Sequence, residues 1–438
     1  MSTRPGAIDR RYHDAVIFDL HCMVAEAEPG VVRSRDSTVP LLRRLREAGV
    51  ATAVYSSSGG CARILAAAGL DDLVSLVVEA TANPDAATLI ATAQRLGTRP
   101  VRCVVVAGDP AGVTAGVDGG FCLVIGLERD GYAEQMLSCG AATVVADLAE
   151  ISVRAPGTAM AAIADARQAY SQLKELVAGR RPAVFFDFDG TLSEIVDTPA
   201  TATLVEGAAD ALRALAAQCP VGVISGRDLR DVRDRVNVDR LWYAGSHGFE
   251  LLAPDGTHHQ NSVAADAVDV LARAAGQLAE TLRDVPGAVV EHKRFAVAVH
   301  YRNADPADVD RVVAATRACG RAHGLRITTG RKVIELRPDI DWDKGTTIAW
   351  LLDRIEGGDH TSGLGAVLPI YLGDDITDED AFDAIQSDGV GIVVRHQEDG
   401  DRPSAAWFSL EDPPAVVDFA RRLANDLHDA ATAGGSPR

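Results

Sequence analysis

Strand-length apolar runs alternate with helix-length segments, and the pattern occurs twice along this chain. In the first 150 residues the candidate strands are 15–19, 51–57, 103–108, 121–126 and 142–146, with helical stretches such as 39–48 and 85–96 between them. Parallel strands cannot be joined by tight turns, so this alternation implies a parallel sheet covered by helices. The pattern restarts at 183–187, 221–225, 241–245, 370–374 and 390–394. Between 248 and 341 its character changes. Helical segments 263–285 and 308–323 flank a hairpin-like stretch, 289–302, and a strand-like 332–337. The expected fold is therefore α/β, with two Rossmann-like parallel-sheet domains, the second interrupted by an α+β cap. The boundaries read as a first domain over 1–152 and a helical linker over the alanine-rich 153–180. A core over 181–249 and 341–431 follows, with the cap at 250–340 and a frayed tail at 432–438.

A length of 438 residues agrees with more than one domain. The formal charge of −19 argues against a partner that is a nucleic acid or a membrane surface. It would also repel a phosphorylated ligand, so a site for one must supply local positive charge. The start of the chain carries arginines without an apolar stretch and does not read as a secretory signal. The apolar runs are too short to span a bilayer. The seven cysteines lie far apart with no C-x-x-C pair, which points to reduced thiols and a cytoplasmic location. Only four lysines occur, at 174, 293, 332 and 344, against 39 arginines. Such survivors are candidates for chemistry that needs a compact ammonium.

The sharpest motif is Phe185-Phe186-Asp187-Phe188-Asp189-Gly190-Thr191-Leu192. A buried strand ends on a carboxylate, and in open α/β sheets the ligand crevice lies at the carboxyl ends of the strands. Asp189 follows two residues later, and Gly190 permits a sharp turn and close backbone approach. Two acids this close suit phosphoryl transfer, in which one attacks phosphorus and the other moves the proton of the leaving alkoxide. Val223-Ile224-Ser225-Gly226-Arg227 ends a second strand with a hydroxyl and backbone N–H groups able to hold a phosphoryl oxygen. Lys344 can neutralise both the phosphate and Asp187. Gly373-Asp374-Asp375-Ile376-Thr377-Asp378 ends a further strand with hard oxygen donors suited to Mg²⁺.

These four elements, in this order, resemble the haloacid dehalogenase-like phosphatase superfamily. The resemblance implies that Asp187 is the nucleophile and Asp189 the general acid/base. It makes Ser225 and Lys344 the phosphate ligands, and it places Mg²⁺ on Asp187, the Asp189 carbonyl and Asp374. Asp375 and Asp378 become auxiliary ligands without a ranking between them. Only 38 residues separate Asp187 from Ser225, whereas 149 separate Ser225 from Asp374, so the insertion falls after Ser225. A cap there can close over the site and select the leaving group.

The cap carries Glu291-His292-Lys293-Arg294, His300-Tyr301-Arg302 and Lys332-Val333-Ile334-Glu335-Leu336-Arg337. With Ser225-Gly226-Arg227 and Gly245-Ser246-His247-Gly248 they resemble the trehalose-6-phosphate phosphatase family over about 180–430. The resemblance implies hydrolysis of trehalose 6-phosphate as the final step of trehalose biosynthesis, with sugar contacts from Lys293 and Glu335 and with His247 and Arg302 nearby. Arg227, Glu291, His300, Lys332 and Arg337 complete the candidate substrate ligands. Another sugar phosphate, such as sucrose 6-phosphate, and a non-catalytic sugar-phosphate sensor are the alternative readings.

A weaker copy of the motif lies at Val16-Ile17-Phe18-Asp19-Leu20-His21-Cys22, with His21 in place of the second acid. Ser56 or Ser57 follows the next strand, Ser56 lying 37 residues after Asp19, which suggests an internal duplication. Gly108-Asp109-Pro110 resembles the fourth motif of the superfamily's sugar-phosphate mutase branch. Thr81 stands where a phosphate-binding lysine is expected. The first domain is thus expected to be a degenerate, non-catalytic copy, free to mediate self-association or to bind a regulator.

Overall fold

The computed structural model describes residues 7–28, 31–56, 59–79, 85–129, 131–154, 157–196, 198–330, 332–357, 367–396 and 401–434. Contacts divide the chain into two compact units, 3–157 with 306–321, and 158–305 with 322–438.

The first unit is built on six parallel strands: β1 (Ala15–Asp19), β2 (Ala51–Ser56), β3 (Leu76–Glu79), β4 (Cys103–Ala107), β5 (Leu123–Leu127) and β6 (Thr143–Val145). Their order across the sheet is β3-β2-β1-β4-β5-β6. Val16 and Phe18 enter one core, while Ala15 and Ile17 enter another on the opposite face. This is the signature of a parallel strand covered on both sides. Asp19 ends β1 where its two neighbours diverge in chain order. Ser57 and Thr81 lie outside the described residues.

The second unit repeats the plan. Its large sheet contains β7 (Ala164–Asp165), β8 (Arg181–Phe186), β9 (Val221–Ile224), β10 (Trp242–Gly245), β11 (Glu250–Leu252) and β12 (His258–Gln260). The inserted sheet is formed by β13 (Val289–Lys293), β14 (Ala296–His300), β15 (Arg326–Gly330) and β16 (Val333–Arg337). The large sheet is completed by β17 (Val367–Gly373), β18 (Val390–Val394) and β19 (Phe408–Leu410). Its order is β7-β19-β18-β17-β8-β9-β10-β11-β12, parallel from β7 to β10 and antiparallel beyond. Val184 and Phe186 face one core and Ala183 and Phe185 the other, all fully buried. β8 sits between β17 and β9, so its end is a topological switch point. The inserted sheet is antiparallel in the order β13-β14-β16-β15, with the helix Val268–Thr281 against β13 and β14.

Three expected boundaries shift. The segment 153–180 is not one helix, because β7 pairs in parallel with β19 at the sheet edge and only Tyr170–Val177 is helical. Alanine favours helix, but Asp165 turns the chain by accepting from the Arg167 and Gln168 N–H groups, and the sheet edge takes the backbone bonds instead. Residues 250–260, expected in the cap, extend the core sheet through β11 and β12. The last helix runs Pro413–Gly434, beyond the expected start of the tail. Within the insertion, the helix Val309–Ala322 groups with the first unit over 306–321, where Arg317 donates to the Phe121 carbonyl.

The helix Tyr170–Val177 is anchored by Tyr170, whose ring meets Phe419 edge-on at 6.1 Å. Phe419 is 1% exposed. Phe419→Ala is expected to cost about 3–5 kcal/mol, read as a lower urea midpoint with an unchanged slope.

Candidate active site

Asp187 follows β8, and its backbone N–H donates to the Leu372 carbonyl at 2.8 Å, which locks it beside the end of β17. Its carboxylate is buried and accepts from Lys344 Nζ at 2.7 Å. The same ammonium donates to Asp378 Oδ1 at 2.6 Å. Tyr371 also donates to Asp378 Oδ1, while Asp378 Oδ2 accepts from the N–H groups of Asp374 (3.0 Å) and Asp375 (2.9 Å). Carboxylate oxygens of Asp187, Asp374 and Asp378 lie within 4.8 Å of one another. Three acids against one ammonium leave excess negative charge. Burial, with the charges of Asp378 and Asp189 opposing that of Lys344, raises the Asp187 carboxyl above its usual range. A hard divalent cation fits this donor set.

Backbone conformation brings these groups together. Gly190 has φ +82°, and a Cβ there would sit 2.3 Å from Asp374 Oδ2. His396 Nε2 contacts the Gly190 carbonyl at 3.1 Å. Arg402 holds the Asp374 carbonyl at 3.1 Å and pairs with buried Glu379 at 2.6 Å. Tyr371, His396, Glu379 and Arg402 were not among the sequence-derived candidates. The carboxylate at 379 was visible beside the Asp374 motif, but its arginine lies 23 residues downstream with no motif to mark it.

The Ser246-His247 turn carries the second half of the site. Both residues are left-handed, at φ 50° and 57°, a strained state for residues with side chains. The turn is held by Ser246 N–H donating to the Arg227 carbonyl (2.7 Å) and His247 N–H to the Ser225 carbonyl (2.8 Å). Gly226 is required here, since a Cβ would lie 2.8 Å from His247 Nε2. From the insertion, Glu335 meets His247 Nε2 at 2.9 Å and Lys293 at 2.8 Å, while Lys293 also donates to the Gly226 carbonyl at 3.1 Å. His300 and Glu291 pair at 2.8 Å.

A cavity of about 280 Å³ joins the two halves. Asp187, Asp189, Lys344, Asp374 and Asp375 line it from the core, with Arg227 and His247. Glu291, Lys293, His300, Arg302, Lys332 and Glu335 line it from the insertion. Three of the four lysines thus reach one cavity. A further wall is formed by Ile195, Val196, Thr198 and Pro199, which carry no motif in the sequence. Ser225 is buried at the end of β9, and neither it, Asp378 nor Arg337 is among the lining residues. Arg337, expected as a substrate ligand, is buried in β16, where its charge acts on Glu335. Arg227, expected likewise, is bound to Asp189 by two bonds of 2.8 and 2.7 Å.

Burial and the nearby Arg337 charge push His247 down to about 4. Lys293 and His247 hold Glu335 well below the usual carboxylate range, against its own burial. An unfolded histidine takes its proton near 6.5 and the folded one only near 4, so stability present at neutral pH is lost as pH falls below 6.5. We expect the second unit to lose about 1 kcal/mol between pH 7.5 and 5.5 from this group. His247→Gln should flatten that slope in urea titrations, and an unchanged slope would assign the dependence elsewhere.

Comparison with known proteins is consistent with this geometry. A trehalose-phosphatase family model matches residues 185–414. The chain is 57% identical over 402 residues to a Mycobacterium tuberculosis protein described as an uncharacterized glycosyl hydrolase, covering 90% of this chain and 30% of that one. The chain therefore spans less than a third of that relative's length. It is 50% identical over 432 residues to a trehalose-phosphate phosphatase of Mycobacterium leprae, covering 97% of this chain and 99% of that one. The C-terminal domain of a C. albicans trehalose-6-phosphate phosphatase shares the fold at a TM-score of 0.50 and 21% identity, covering 60% of this chain and 98% of that one. The family model spans more than half of the chain and the M. leprae relative is matched end to end: this chain belongs to the trehalose-phosphatase family.

Proposed function

We propose that the protein hydrolyses trehalose 6-phosphate to trehalose and phosphate, with Asp187 transiently phosphorylated. The observation that carries this reading is Asp187 itself, held 2.7 Å from the Lys344 ammonium in a cavity whose other wall is a ring of paired acids and bases. Asp187 attacks phosphorus as the bond to the sugar oxygen breaks, and Asp189 gives that oxygen its proton. Water then attacks the phosphorus, Asp189 takes up a water proton, and Asp187 is restored. Lys344 and the backbone after Ser225 balance charge on the phosphoryl oxygens.

Mg²⁺ would be held by Asp187, Asp374 and the Asp189 carbonyl, with Asp375 at the cavity wall as an auxiliary group. A bound divalent ion neutralises phosphoryl charge. Asp378 already accepts four hydrogen bonds, two on each oxygen. It therefore orients Lys344 and the Asp374 loop from within the acidic cluster. Lys293, Glu335, His247, Glu291, His300, Arg302 and Lys332 supply charged donors and acceptors for sugar hydroxyls. A disaccharide that engages several of them is discriminated by the groups left unpaired with a smaller ligand.

The first unit reads as non-catalytic. Asp19 accepts from the His21 N–H at 3.0 Å and meets its ring at 3.2 Å. Asp109 is engaged in capping the helix Pro110–Asp118, and no lysine occurs before Lys174. All seven cysteines are free, which supports a reducing, cytoplasmic setting. Among the described residues no helix is long and apolar enough to cross a membrane.

The deciding experiment measures phosphate release from trehalose, sucrose and glucose 6-phosphates, with Mg²⁺ and after chelation. Release from the trehalose ester alone, lost on chelation, is expected. Preference for another ester would discard the substrate, and binding without release would favour a sensor. Asp187→Asn should lower turnover by more than about 10³-fold with an unchanged circular dichroism spectrum. Asp19→Asn should leave turnover within about 2-fold, and a large loss would show that the first unit takes part in the chemistry.

A further inference from the structure

The guanidinium of Arg227 is almost fully engaged before any ligand arrives. Nε and Nη2 grip the two oxygens of Asp189 at 2.8 and 2.7 Å. Nη2 also donates to the Pro199 carbonyl at 2.8 Å, and Nη1 donates to Asp231 at 2.8 Å. Four of the five N–H donors are thereby used. The plane lies over the Phe188 ring, 5.3 Å from its centre, and the side chain is 9% exposed. Asp231 is held in turn by Arg235 at 2.9 Å, and Arg235 also reaches the Ala200 and Ala202 carbonyls. A ladder of alternating charge thus runs from Asp189 along the helix Leu229–Val236, tied at three carbonyls to the segment behind the cavity wall.

A residue with one donor left is poorly equipped to recognise a phosphate or a sugar. Asp189, by contrast, is 45% exposed and projects from a loop, so without Arg227 little else in the described contacts fixes its rotamer. The fork geometry of arginine suits this task, since two parallel bonds define an orientation and not only a distance.

We propose that Arg227 is a positioning residue that sets the orientation of the Asp189 carboxylate and links it, through Pro199, to the cavity wall. The proposal rests on the proton-transfer role given to Asp189 above. Arg227 acts on the leaving-group step through Asp189, and substrate affinity does not depend on it.

The test uses the full chain and compares Arg227→Gln, Arg227→Lys and Asp231→Asn with the wild type. Steady-state turnover of trehalose 6-phosphate is measured alongside the pre-steady-state burst of p-nitrophenolate from p-nitrophenyl phosphate, whose leaving group needs no proton. Arg227→Gln should lose about 10²-fold in kcat, keep KM within about 3-fold, and retain the p-nitrophenolate burst. Arg227→Lys should recover only part of kcat because an ammonium cannot form the fork. Asp231→Asn, which leaves the arginine in place and lies outside the cavity lining, should lower kcat alone by a smaller factor. It carries the test if Arg227→Gln fails to fold.

A KM raised tenfold with kcat preserved would make Arg227 a substrate ligand. A burst lost in parallel with kcat would place it at the phosphate, and either result overturns the proposal. Unchanged kinetics in Arg227→Gln, with an active wild type, would overturn it alone. Wild-type protein inert toward both esters would remove the phosphatase reading, and the role of Asp189 with it.

Discussion

The site depends on one buried ammonium. Lys344 is 3% exposed and sits 2.7 Å from Asp187 and 2.6 Å from Asp378. Burial alone would drive its proton off, yet the two carboxylates hold its pKa well above the usual range. Removing it would leave two acids facing each other in a low-dielectric pocket, which is more costly than the pair is favourable. The surrounding construction keeps this ammonium in place. Tyr371 rises from β17 to share Asp378, the Asp374 loop wraps the other oxygen, and the helix that begins at Lys344 is fixed by Asp343, which caps the Thr346 N–H at 2.7 Å.

The sheet architecture delivers these groups with little freedom. Asp187 and Asp374 come from neighbouring parallel strands, β8 and β17, and Ser225 from β9 on the other side. Their convergence therefore follows from strand register and not from loop placement. The cavity-lining groups of the insertion arrive differently. Glu291, Lys293, His300 and Glu335 alternate on an antiparallel sheet whose inner residues Ala296 to Val299 are buried. The parallel sheet places Asp187 and Asp374, while the inserted one supplies the paired acids and bases of the other wall.

Much of this was legible in the residues. Strands such as 15–19 and 390–394 matched their apolar runs, because a continuous run bounded by polar turns has few other solutions. The short elements escaped. β7 is two residues long and exists only because β19 offers it an edge, while β15 reads as polar on its own. The site showed the same division. Asp187 and Asp374 were visible because motif and strand end coincide, and Lys344 because lysine is scarce in this chain. The engagement of Arg227 with Asp189 was not, since it joins two loops 38 residues apart. Arg337 shares the face of β16 with Glu335, so its burial is set by position at the strand end beyond the cavity, which a run of charges leaves open.

The scarcity of lysine makes the protein's amine chemistry local. Arginine, which does not acylate under mild conditions, carries nearly all the positive charge, so an amine-directed reagent meets only four side chains in the sequence. Lys174 is exposed on a helix paired with Asp426, and Lys332 is exposed at the cavity, while Lys293 and Lys344 are locked as charged donors in ion pairs. The expected order of labelling is thus a surface lysine, then the cavity rim, then the interior only when its ion pairs open. Acetylation beyond Lys174 would therefore report the state of the cavity.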